Sequence, residues 1–153
     1  MLLIAGGVRR PDDQLVLAKL QRQIAEQGLQ ARVRITGYLE ENELSPNLNA
    51  CDVLIYPNTH TDFSYSVYLG LAYQTAPVVL SDIESHRELT TEGVVAFFSS
   101  NKSEALAQTI RNVVENPTWR TDLMEKAQTF VQQNTWASVA RRTRDIYQHI
   151  LQP

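Results

Sequence analysis

Between Asn58 and Ser66 the chain reads NTHTDFSYS, which sets a carboxylate, an imidazole and a run of hydroxyls close together. Asp62 can orient the hydroxyls of a ligand. Ser64 and Ser66, with the amides at the start of a helix, can hold a phosphate. Phe63 and Tyr65 can fill space or stack on a base or sugar. His60 is either a ligand-binding imidazole or a solvent-exposed one. Asp62 and Thr61 are also ordinary helix N-caps, so the same letters serve a purely structural reading. This is binding chemistry: no residue here is assigned a catalytic role, and no metal or cofactor is expected.

The elements that must position this loop flank it directly. An apolar run, Val53–Tyr56, stops at Pro57, and a compact helix is predicted over Ser64–Tyr73. A second apolar run, Val78–Leu80, ends at Ser81-Asp82. Strand, loop, helix and strand in this order form the βαβ unit of a parallel sheet. Ligands of such sheets bind at the carboxyl ends of strands, where loops enter helices. The loops after Gly7 and Gly37 belong to the same class of position and join the candidate site.

Elsewhere Leu2–Ala5, Arg32–Thr36 and Val94–Phe97 read as strands. Pro11 opens a helix that Gly28 stops, with Leu17, Leu20 and Ile24 on one face. A helix over Glu40–Ala50 is expected to break at Pro46. Ile83–Leu89 forms one or two helical turns. Ser103 caps a helix over Glu104–Glu115 whose Leu106, Ile110 and Val113 face inward. Pro117 breaks it, and Arg120–Gln133 follows. Trp136–Leu151 closes the chain with Val139, Ile146 and Ile150 on one face. Tyr65, Tyr68 and Tyr73 recur at helical spacing and read as packing residues. His86-Arg87-Glu88 reads as a mixed surface patch, and Arg141, Arg142 and Arg144 as a solvated face. The fold class is α/β: a Rossmann-like parallel sheet of about five strands with helices on both faces.

Composition excludes several classes. The 153 residues carry 43% hydrophobic and 20% charged side chains, suited to one globular domain. A net charge of -3 gives no reason to expect nucleic acid or an anionic membrane. No apolar run reaches the roughly 18 residues of a membrane span, and a cytoplasmic location fits. The single cysteine, Cys51, forms no internal disulfide and reads as a packed thiol. The sequon Asn101-Lys102-Ser103 is treated as chance without a secretion signal.

The order of LLIAGG (Leu2–Gly7), RVRITGYL (Arg32–Leu39), CDVLIYP (Cys51–Pro57), PVVLSD (Pro77–Asp82), HREL (His86–Leu89) and KSEALAQTI (Lys102–Ile110) is specific where each motif alone is weak. Together with Asn134–Tyr147 it resembles the C-terminal, donor-binding domain of GT-B glycosyltransferases, family four. The resemblance implies the GT-B C-terminal half over residues 1–153 and a retaining transfer from a nucleotide-diphosphate sugar. It also implies two glutamates eight positions apart, one for the sugar and one for the ribose. Counting back from Pro77, these positions hold Asp62 and Gly70. The usual neighbouring glycines become Phe63 and Tyr65. Glu88 matches a further family glutamate, though a structural salt bridge explains it equally.

The resemblance implies that residue 1 falls at the family's second strand. On that expectation the first strand, the arginine and lysine that neutralise the diphosphate, and the acceptor domain have no counterparts within residues 1–153. Arg9 and Arg10 are not in matching positions. Leu2–Ala5 is expected to pair directly with Val53–Tyr56. Two functions follow: a donor half inactive alone, or a non-catalytic relative that binds a partner protein or a sugar. Tyr38, Leu39, Phe63 and Tyr65 could form an apolar patch for a homodimer or an acceptor-domain protein. An unrelated flavodoxin-like or Rossmann module is disfavoured, because no G-x-G-x-x-G follows Leu2–Ala5.

Overall fold

The computed structural model describes residues 1–60, 65–90 and 93–151. These gather into two compact units, Met1–Asn47 and Leu48–Pro153.

The first unit holds β1 (Leu2–Ala5), α1 (Pro11–Glu26) and β2 (Val33–Gly37), and α2 (Glu41–Asn49) begins in it. β1 and β2 pair in parallel, with Leu2 opposite Val33 and Ile4 opposite Ile35. The register shifts between Ile4 and Ala5, so that Ala5 faces Gly37. Asp13 fastens the start of α1: its carboxylate accepts from the Arg9 and Arg10 amides, each at 2.9 Å. Those bonds hold the Asp13 carboxyl below its ordinary range. Gly28, at φ +65, follows the helix in the left-handed conformation that ends many helices. Pro46 does not break α2, which runs through it. The proline removes a bond to the Asn42 carbonyl, in the exposed first turn, where water can replace it.

The second unit holds β3 (Leu54–Tyr56), α3 (Tyr65–Tyr73), β4 (Val78–Asp82), α4 (Glu84–Leu89), β5 (Ala96–Ser99), α5 (Ser103–Glu115), α6 (Pro117–Gln133) and α7 (Trp136–Leu151). Its strands are parallel in the order β3-β4-β5, with Tyr56 opposite Leu80 and Phe97 also opposite Leu80. Side chains alternate across the pleat. Leu54, Val78 and Leu80 pack with Val67 and Leu71 of α3 and Ala127 of α6. Val79, Ala96 and Phe98 pack on the other face with Val113 of α5 and Leu123 of α6. Helices thus cover both faces of this sheet.

Five parallel strands form, as expected, but in two sheets. The direct pairing expected between Leu2–Ala5 and Val53–Tyr56 is not among the ladders of the described residues. β3 has only three ladder residues, and their partners lie on β4.

Two helix starts differ from expectation. Ser103 is the first residue of α5, not its cap; Lys102 takes the cap position. α6 begins at Pro117, where a missing N–H costs nothing, and Asn116 Oδ1 accepts from the Trp119 amide at 3.0 Å. α7 has its expected bounds, but its apolar face is uncovered: Trp136 is 88% exposed and Ile150 69%. Among the described residues, no helix is long and apolar enough to cross a membrane.

Candidate functional site

In the first unit, Gly7 and Gly37 come together at the carboxyl ends of β1 and β2. The Gly6 amide donates to Gly37 O at 2.9 Å. Gly37 sits at φ +73, a conformation that suits glycine. A Cβ on Gly7 would approach the Tyr38 Cβ at 3.2 Å, so the backbone there lies close against Tyr38. The Tyr38 ring itself is exposed.

In the second unit, the parallel sheet presents the carboxyl ends of β3 and β4. The β3–β4 ladder ends at Tyr56 and Leu80. Beyond it, Ser81 Oγ donates to Asn58 O, in the loop that leaves β3. α3 starts at Tyr65, and both Tyr65 and Ser66 are exposed at its first turn. Tyr65 therefore does not pack, whereas Tyr68 lies against the core. His60 is exposed, and its Nδ1 lies 3.1 Å from Thr59 Oγ1. Asp62, Phe63 and Ser64, the centre of the expected site, lie outside the described residues.

Gly70 is buried in α3 and faces β3. A Cβ there would overlap the Tyr56 phenol oxygen and lie 3.2 Å from Leu54 Cδ1. No carboxylate can occupy this position without moving Tyr56. Burial, with the nearby Cys51, pushes the Tyr56 phenol up to about 12. Burial also raises the Cys51 thiol, followed by the charge of Asp52, as a packed cysteine should behave.

The surface patch expected at His86-Arg87-Glu88 fails for its first member. His86 is fully buried, because its place in short α4 turns it toward the end of β4. Its Nδ1–H donates to Ser81 O at 2.9 Å. Arg87 forms a two-pronged pair with Asp82, with its Nη2 at 2.8 Å from Oδ2, and lies 5.0 Å from the Phe97 ring centre. Glu88 is exposed and forms no ion pair among the described residues. Sequence reasoning missed the Ser81–His86 pair. Its only trace there is a polar serine ending an apolar run.

Among the described residues, no group of three or more His, Cys, Asp or Glu side chains could hold a metal ion.

The sequence model of the family "Glycosyl transferases group 1" matches residues 1–130. The chain belongs to this family. No curated protein matches it. Among solved structures it is similar to Anabaena HepE in complex with UDP, at 21% identity and TM-score 0.80, covering 97% of this chain and 40% of that one. It is similar to sucrose-phosphate synthase from Thermosynechococcus elongatus, at 21% identity and TM-score 0.77, covering 97% and 38%. A third is the C-terminal domain of the Francisella tularensis glycosyl transferase group 1 protein LpcC, at 12% identity and TM-score 0.73, covering 87% and 85%. The group 1 chain thus spans about 40% of the length of the first solved structures it matches. These likenesses establish the GT-B fold for this domain.

Proposed function

We propose that this chain is the nucleotide-sugar-binding half of a retaining glycosyltransferase, cytoplasmic, and inactive unless an acceptor domain completes it. The family match over residues 1–130 carries the reading. The complexes of Anabaena HepE with UDP and with UDP-glucose support a uridine nucleotide as the first donor to try. In the first unit, Gly37 leaves its backbone open to close approach by a ligand, whereas Tyr38 lies against Gly7. In the second unit, the α3 start at Tyr65 and Ser66 suits a diphosphate. Asp62, Phe63 and Ser64 belong to the same loop, with Asp62 on the sugar. The cation for the leaving diphosphate, and the acceptor held against the donor, come in this reading from outside residues 1–153. Both are large shares of the rate. The uncovered apolar face of α7 supports a partner, either an acceptor-domain protein or a second copy.

A second reading is a pseudo-transferase that binds a partner protein or a sugar without turnover. Gly70 favours it, since it offers the ribose no carboxylate and the Tyr56 phenol oxygen crowds the position of a Cβ there. Calorimetric titration with uridine, guanosine and adenosine diphosphates separates the two. Measurable binding of one diphosphate, weakened by Asp62→Ala or Ser66→Ala, supports the donor half. No binding of any of them, at millimolar ligand, supports the pseudo-transferase.

A further inference from the structure

Buried polar side chains interrupt the core of the second unit at Ser81, His86 and Thr90, and the first two meet where β4 ends. Ser81 is 1% exposed and His86 0%. Both point their polar atoms at one place. The Ser81 hydroxyl lies within reach of Asn58 O and, at 3.4 Å, of Tyr56 O. It has one proton, and the shorter contact takes it. A carbonyl only accepts, so the 2.9 Å contact between His86 Nδ1 and Ser81 O places a proton on Nδ1. His86 Nδ1 also lies 3.3 Å from Ser81 Oγ. The histidine backbone is held in turn: its carbonyl accepts from Thr90 Oγ1 at 3.0 Å. His86 Nε2 is buried and has no hydrogen-bond partner among the described residues.

Burying two polar side chains is unfavourable unless they are bonded, and one nitrogen here is not. A hydrophobic pair would fill the same volume without that orphan. What such a pair could not do is reach the loop. The β3–β4 ladder stops at Tyr56, and the Ser81–Asn58 bond extends the connection two residues further, into the candidate site.

We propose that Ser81 and His86 are positioning residues: Ser81 holds the backbone at Asn58, and His86 fixes Ser81 from behind. Neither touches ligand. Their service to a nucleotide-sugar site rests on the function proposed above. The hold on the loop itself does not.

The experiment uses the full chain and two readouts. Backbone nitrogen relaxation by NMR follows Asn58, Thr59 and His60, with Ala96–Ser99 of β5 as the reference. Calorimetry follows uridine diphosphate. Ser81→Ala should lower the order parameters at Asn58–His60, from the rigid range of about 0.85 toward about 0.6, and leave β5 unchanged. Ser81→Thr should restore them. His86→Asn, which keeps a donor near Nδ1, should stay close to the parent, whereas His86→Leu should resemble Ser81→Ala. Uridine diphosphate affinity should fall in the same variants and recover with Ser81→Thr. Unchanged order parameters at Asn58–His60 in Ser81→Ala overturn the proposal. So does a uniform fall that includes β5, or equal behaviour of His86→Leu and His86→Asn. If the parent chain binds no diphosphate, the donor-half reading falls, and relaxation alone decides the hold on the loop.

Discussion

The phenol oxygen of Tyr56 occupies the space that a side chain on Gly70 would need. The two residues sit on adjacent elements, β3 and α3, and each fixes what the other can be. Gly70→Ala should therefore destabilise the chain, although alanine is the better helix former by about 1 kcal/mol. Overpacking of a tight core costs about 1–3 kcal/mol and should win. On a Tyr56→Phe background the same change should cost less, since the overlapping oxygen is gone. Urea denaturation of the four proteins checks the coupling. A net gain from Gly70→Ala alone would refute the packing.

Alkaline pH tests the same tyrosine. Its pKa rises from an ordinary 10.0 to about 12, with burial the first cause. Below pH 10 both folded and unfolded chains keep the proton, and stability is unaffected. Between 10 and 12 the unfolded chain releases it more readily, so stability falls as pH rises, by about 1.4 kcal/mol per unit at most. Tyr56→Phe should flatten this part of the stability profile. An unaltered profile would show that the phenol ionises normally.

Exposure separates α7 from the core. Leu123→Ala, at a buried position shared by α6 and the sheet, should cost about 2–5 kcal/mol. Ile146→Ser and Ile150→Ser should each change stability by about 0.5 kcal/mol or less. In sedimentation the parent chain should associate weakly with itself as its concentration rises, and the two serine variants should not. Thermal melts and sedimentation together test both halves of this expectation.

The Asp82–Arg87 pair is short and two-pronged, yet both side chains meet water. Its bonds to Arg87 hold the Asp82 carboxyl below its usual range. The contribution is present above the ordinary carboxylate pKa and is lost as pH falls through the lowered one. Solvent screening keeps it small: Asp82→Asn should cost no more than about 1 kcal/mol. Thermal denaturation at pH 7 measures it, and a larger loss would mean that Asp82 holds α4 in place by more than this pair.

Much of the fold was legible because it follows local rules. Val78–Leu80 announced a buried strand by composition, and Pro117 announced both an end and a beginning. The apolar period of Trp136–Leu151 gave that helix its bounds, and Gly28 gave α1 its stop. What escaped was non-local. Strand pairing joins residues far apart in sequence, and the ladder expected between Leu2–Ala5 and Val53–Tyr56 is not the one that Leu2–Ala5 forms. His86 looked polar among polar letters, and only the short α4 turns it inward. Gly70 reads as standing in place of a carboxylate, but the overlap of its missing side chain with Tyr56 depends on the packing of a strand against a helix. Pro46 was judged by its residue type, while the exposure of the first turn decided the outcome.

Among the described residues of Met1–Asn47 no side chain is fully buried, although Leu17, Leu20, Ile24, Val33 and Ile35 are half-buried. The fully buried side chains belong to Leu48–Pro153. Local opening is easiest where buried apolar contact is least, so the amides of β1 and β2 should exchange faster than those of β4 and β5. Limited digestion should likewise cut first within Met1–Asn47. A stability averaged over the chain would then describe neither stretch of backbone.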